Sequence, residues 1–135
     1  MLPDQQAEIQ EWLHRGRLDE VTAEQLLTGP RIVPETAVFH CQQLAEKALK
    51  AYLVSTNVSF PRTHDLVRLI EMCCGVDQAF AELLDIAVLL TPYATLYRYP
   101  TDEPAPDAEL AKQQFERARR VLTFVLDRLP PDVRR

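Results

Sequence analysis

Glycine is scarce, at three positions in 135, and no stretch is of low complexity, which excludes fibrous and disordered classes. Cysteine is equally scarce. Cys41, Cys73 and Cys74 are odd in number, two are adjacent, and none is spaced as a CxxC or with a histidine, so no disulfide framework or zinc site is encoded. They read as buried apolar thiols. Long apolar runs are missing too. The longest nearly apolar stretch, Ile86 to Tyr97, is about half of what a transmembrane helix needs. Met1 to Gly16 carries acidic residues where a signal peptide would have its n-region and h-region, so a cytoplasmic chain without membrane contact is expected. GxSxG, P-loop and HExxH motifs are absent, and the pairs Asp19-Glu20 and Asp102-Glu103 read as solvated charges. No catalytic residue, metal ligand or cofactor is therefore assigned.

With 47% apolar and 26% charged residues, the chain suits one domain over residues 1–129 that folds around its own core, followed by a frayed tail over 130–135. The net charge of -5 argues against a strongly basic nucleic-acid wrapper. It is unevenly spread: residues 1–35 and 71–97 each carry -4, whereas 36–70 carry +2 and 98–135 carry +1.

Apolar residues recur at three-and-four spacing, and no segment alternates as a half-buried strand would. The expected fold is all-α, an up-and-down antiparallel bundle of four long helices plus one short helix. The first helix spans about Asp4 to Leu27, with Ile9, Leu13, Leu18, Val21 and Leu26 inward, Gly16 as a weak point and Thr28-Gly29-Pro30 as its stop. The second runs from Pro34 to about Ser55 on a stripe of Val38, Cys41, Ala45, Ala48, Leu49 and Tyr52. A short third, about 65–74, is capped from Thr63-His64-Asp65 and ended by Gly75. The fourth, about 77–97, turns Phe80, Leu83, Leu84, Ala87, Leu90 and Leu96 inward and is kinked at Pro92. Pro100, Pro104 and Pro106 enforce a non-helical link to a fifth that opens at Asp107 and buries Leu110, Phe115 or Gln114, Ala118, Val121, Leu122, Val125 and Leu129.

Two constellations carry candidate chemistry. On the second helix His40, Gln43, Lys47 and Lys50 share one face, nearly opposite Cys41, Ala45 and Ala48. That face is either solvated surface or a strip for a phosphate-bearing ligand. Around Tyr93, Tyr97, Arg98, Tyr99 and Pro100, a guanidinium flanked by rings either packs structurally or grips phosphate while a ring stacks on a base. Thr63, His64 and Asp65 serve as a helix cap or a secondary site, with His64 able to titrate near neutrality.

The blocks Phe39-His40-Cys41-Gln42-Gln43-Leu44-Ala45-Glu46-Lys47-Ala48-Leu49-Lys50-Ala51, Pro61-Arg62-Thr63-His64-Asp65-Leu66 and Tyr97-Arg98-Tyr99-Pro100, in this order, resemble the HEPN domain family. Glu11-Trp12-Leu13 and Leu18-Asp19 are similar to its first helix, so the resemblance covers most of residues 8–125. It implies a homodimer encoded beside a minimal nucleotidyltransferase in a toxin-antitoxin-like module. Many members are metal-independent RNases whose motif is an Arg followed, after four to six residues, by a His. No arginine stands at that spacing before His14, His40 or His64, so that motif supplies no general base for a 2'-hydroxyl.

The resemblance thus implies the non-nucleolytic, RYP-type subgroup. Its nucleotide- or substrate-binding residues map onto His40, Gln43, Lys47, Arg98 and Tyr99. Two alternatives stay open: a ribonuclease toxin with a displaced site, built from Arg98 with His64 or His40, and a scaffold that contacts only protein. RNA is the less favoured ligand.

Overall fold

The computed structural model describes residues 1–134, and every regular element among them is helical. In chain order these are α1 (Pro3–Thr28), α2 (Pro34–Ser55), α3 (Leu66–Cys74), α4 (Leu84–Leu90) and α5 (Ala108–Leu126), with 3-10 turns at Gln78–Leu83, Thr91–Ala94 and Pro131–Val133. The all-α bundle expected from periodicity is the fold observed.

Each boundary has a local cause. Pro3 and Pro34 occupy first-turn positions, where their missing amide would have had no helical partner. At the end of α1 the Gly29 amide donates to the Gln25 carbonyl at 2.8 Å, and Pro30 prevents continuation. Asp65 caps α3 by accepting from the amides of Val67 and Arg68, and Asp107 caps α5 by accepting from Leu110 at 2.7 Å.

The helix α2 lies at the centre. Its alanines Ala37, Ala45, Ala48 and Ala51 are fully covered and let neighbours approach closely from several sides. Antiparallel α1 packs along it, so that Gln5 reaches the Val54 carbonyl at one end. On the opposite flank Phe80 packs between Tyr52 of α2 and Phe124 of α5, with ring centroids 4.5 and 4.8 Å away. A covered Phe or Leu side chain contributes about 1.5–3 kcal/mol, so this three-way contact anchors the bundle.

The structure departs from the sequence pattern in four places. Leu18 and Val21 are exposed, while Gly16, Asp19, Ala23 and Leu27 complete the inner stripe of α1 with Ile9 and Leu13. Apolarity favours Leu18 and Val21 for that stripe, but the face that meets α2 runs through Gly16, where an added methyl would lie 3.5 Å from Lys47 Cβ. The region 77–97 is a 3-10 turn, a seven-residue α-helix and a second 3-10 turn, because Pro92 cannot donate and Asp77 caps a tight first turn. Leu84 and Leu96 are only half-buried there, whereas Ile86 is covered. Over 130–134, where fraying was expected, Val133 is fully covered and the Arg134 guanidinium donates to the Leu129 carbonyl at 2.7 Å. Arg135, part of that expected tail, lies outside the described residues.

Candidate functional site

The start of α2 and the chain after Thr91–Ala94 meet to form a cleft of about 290 Å³ lined by Glu35, Thr36, Phe39, His40, Tyr97 and Arg98. The Arg98 guanidinium lies over the Phe39 ring, 4.9 Å from its centroid, and the Arg98 amide is tied to the Thr95 carbonyl at 3.1 Å. Among the described residues Arg98 has no ion-pair partner. A stacked, uncompensated guanidinium offers its fork of donors to an oxyanion.

His40 faces the same cleft and is held from behind. Its Nδ1 donates to Asp19 Oδ1 at 2.8 Å, and Lys47 Nζ donates to Asp19 Oδ2 at 2.6 Å. Asp19 is 7% exposed, so the carboxylate that joins these two half-buried side chains is itself largely out of water. With Nδ1 donating, the neutral imidazole keeps Nε2 as its acceptor nitrogen.

One turn further along α2 the same chemistry recurs. Glu46, 3% exposed, accepts from Lys50 Nζ at 3.0 Å, from His64 Nδ1 at 2.8 Å and from Gln42 Nε2 at 3.2 Å. Gln42 also donates to the His64 carbonyl, and Gln43 Nε2 donates to Gln42 Oε1 at 2.7 Å. The Lys50 ammonium sits near the rings of Trp12 and Phe60, 5.4 and 5.8 Å from their centroids. Each covered carboxylate thus has one histidine and one lysine, which neutralises charge that would otherwise be costly to enclose.

Beside the first cleft lies a second, of about 200 Å³, lined by Glu35, Tyr97, Tyr99, Thr101 and Glu103 among others. Tyr97 stacks on Tyr93 at 5.9 Å and donates its hydroxyl to the Pro104 carbonyl at 2.8 Å. Burial pushes the Tyr97 hydroxyl above its ordinary pKa, and the negative fields of Tyr93, Glu103 and Glu35 add to the shift. No cluster of metal-ligating side chains is present among the described residues.

A HEPN domain model matches residues 9–129. The chain belongs to the HEPN family. A crystal structure of an archaeal HEPN homologue superposes with a TM-score of 0.72 at 24% identity, covering 90% of this chain and 98% of the homologue, which shows the shared HEPN bundle and not a shared activity. A search of curated proteins finds no match. No helix among the described residues of this HEPN chain is long and apolar enough to cross a membrane.

The fold brings His40 and Arg98 together and separates the other sequence candidates from them. Lys47 is engaged by Asp19, Gln43 by Gln42, and Tyr99, 66% exposed, lines the second cleft. The stripe His40, Gln43, Lys47 and Lys50 is covered by α1 rather than solvated: Lys50 is buried and the others are half-buried. In the loop, Thr63 Oγ1 accepts from the Asp65 amide, Asp65 caps α3, and His64 reaches Glu46.

Sequence reasoning missed Asp19, Glu35, Phe39 and Glu46 as parts of this region. Asp19 had a signal: it stands three residues after Gly16 and four before Ala23, on the small-residue stripe of α1. Phe39 and Glu46 stood inside the first family block without a role of their own, and Glu35 had no signal, because Arg98, which shares its cleft, is remote in sequence.

Proposed function

We propose that this HEPN protein binds a nucleotide through Arg98 and His40, dimerises, and pairs in the cytoplasm with a minimal nucleotidyltransferase in a toxin-antitoxin-like module. The observation that carries the binding reading is the Arg98 guanidinium, stacked on Phe39 without an ion-pair partner and sharing a cleft with His40. Arg98 takes the phosphate, His40 Nε2 accepts from a ribose hydroxyl, and Tyr99 lies alongside for a base. Lys47 acts from behind by sharing Asp19 with His40, whereas Gln43 is tied through Gln42 to the Glu46 and His64 cluster and not to the cleft. Pairing and dimerisation are supported by family membership and the Tyr97-Arg98-Tyr99-Pro100 block.

Calorimetry with ATP and GTP tests the binding part. Wild-type protein binds and Arg98→Ala loses about tenfold or more in affinity, the scale of one charge-assisted contact. Binding that is absent, or indifferent to Arg98, overturns it. Co-purification with the neighbouring nucleotidyltransferase and a sedimentation mass of two chains test the rest.

One observation favours a second reading, the ribonuclease. Spacing along the chain separates arginine from histidine, yet Arg98 and His40 line one cleft, and Asp19 orients His40 as a carboxylate orients a general base. His40 Nε2 would accept the proton of a 2'-hydroxyl as that oxygen attacks phosphorus, the 5'-oxygen leaving with a proton from solvent and Arg98 stabilising the phosphoryl oxygens. Growth arrest on expression and RNA cleavage, both abolished by His40→Ala and Arg98→Ala, would support it; intact RNA under those conditions would sink it.

A further inference from the structure

We propose that the site is two-lobed and selects a guanine nucleotide, the second cleft taking the base by its N1–H and 2-amino edge. The inference rests on the nucleotide-binding reading above and deepens it.

The two clefts share Glu35 and Tyr97 as walls, so they lie side by side. At about 290 and 200 Å³ neither reaches the roughly 300 Å³ at which ligand pockets begin, whereas a ligand that spans both has more than that. Their chemistry differs. The first sets a guanidinium and an imidazole against the single carboxylate of Glu35; the second adds Glu103 to Glu35, with no cationic side chain in its lining, beside the Tyr99 ring.

A carboxylate accepts hydrogen bonds and donates none when ionised. Facing a base edge, it rewards adjacent N–H donors and repels a ring acceptor. Guanine alone among the common bases presents two neighbouring donors, N1–H and the 2-amino group, to one carboxylate. Adenine sets its N1 acceptor beside its single amino group, cytosine sets N3 there, and uracil offers one N–H between two carbonyls. Glu103, which lines only the second cleft, sets the order of the lobes by repelling a phosphate there, where no guanidinium is present. The exposed Tyr99 ring supplies a stacking surface that any base can use, so it adds affinity without selecting.

Neither carboxylate is spent on another partner, since neither Glu35 nor Glu103 forms an ion pair among the described residues. Both carboxylates lie in the same cleft wall as the Tyr97 ring.

Calorimetric titration of the full chain with GMP, IMP, AMP, CMP and UMP tests this. IMP is the informative control, because it keeps N1–H and lacks only the 2-amino group. GMP binds about tenfold tighter than AMP, with IMP between them, a size set by one bidentate pair. Glu103→Gln or Glu35→Gln removes the preference, while Arg98→Ala weakens all five alike; thermal melts of each variant confirm that it is folded. Equal binding of all five nucleotides overturns base selection and leaves the nucleotide reading standing. Absence of any nucleotide binding overturns both. A guanine preference intact in both Gln variants overturns the assignment to these carboxylates.

Discussion

His40 Nδ1 lies 2.8 Å from Asp19 Oδ1, a hydrogen bond between α2 and α1 that turns a residue on an apparent surface stripe into a fixed wall of the cleft. Because Lys47 shares the same carboxylate, two side chains of α2 depend on one group of α1.

Asp19→Ala is therefore expected to destabilise the fold by about 1.5–3 kcal/mol, the usual worth of hydrogen bonds to a charged group, and to weaken ligand binding by freeing His40. Urea unfolding reads the first effect and calorimetry the second. An unchanged urea midpoint would contradict the role given to Asp19.

The glycines of α1 should respond in opposite directions. At Gly16 an added methyl would meet Lys47 Cβ and Leu44 Cδ1 at 3.5 and 3.6 Å, ordinary contact, so Gly16→Ala should stabilise by about 0.5–1 kcal/mol through helix propensity alone. At Gly29 the methyl would fall 2.7 Å from the Gln25 carbonyl oxygen, which is fixed in the last turn. Gly29→Ala should destabilise by about 1 kcal/mol or more. Paired thermal melts decide both.

Burial raises the thiols of Cys41 and Cys73 to about 12, whereas Cys74 is only half-buried. Alkylation of native protein at pH 8 should label Cys74 alone, and labelling in denaturant should reach all three. Mass spectrometry counts the adducts, and rapid native labelling at Cys41 would refute the packing of α2.

Asp77 caps the 3-10 turn at Gln78–Leu83. Its carboxyl is held below the usual carboxylate range by the Ala79 amide and then by the Arg128 guanidinium, whose Nε lies 3.0 Å away. A depressed folded-state pKa contributes stability that is present above the ordinary aspartate value, about pH 4, and is lost as pH falls through the folded value. Asp77→Asn should therefore lower the urea midpoint at pH 7 and matter much less at pH 3. Arg128 also stacks 3.5 Å above the Phe124 ring centroid, so Arg128→Ala should be the more damaging change at neutral pH.

Much of this protein was legible in its sequence. Prolines at 3, 34 and 92, aspartates at 65 and 107, and glycine at 29 set helix limits through local backbone chemistry that depends on few neighbours. The family blocks named Arg98 and His40 as candidates. Tertiary structure decided the rest. Asp19 and Glu46 look like surface acids until α2 covers the first, and α1 with the loop at His64 covers the second, each with its hydrogen-bond donors. Leu18 and Val21 look like core until the packing of α1 turns Ile9, Leu13, Gly16, Asp19, Ala23 and Leu27 inward and leaves those two in solvent. Arg98 and His40 stand 58 positions apart in the sequence, and no periodicity relates them; their shared cleft exists because Pro92 and the broken region before it return the chain to the start of α2. Local rules fix elements within a few residues, whereas sites built from remote segments depend on how those elements pack.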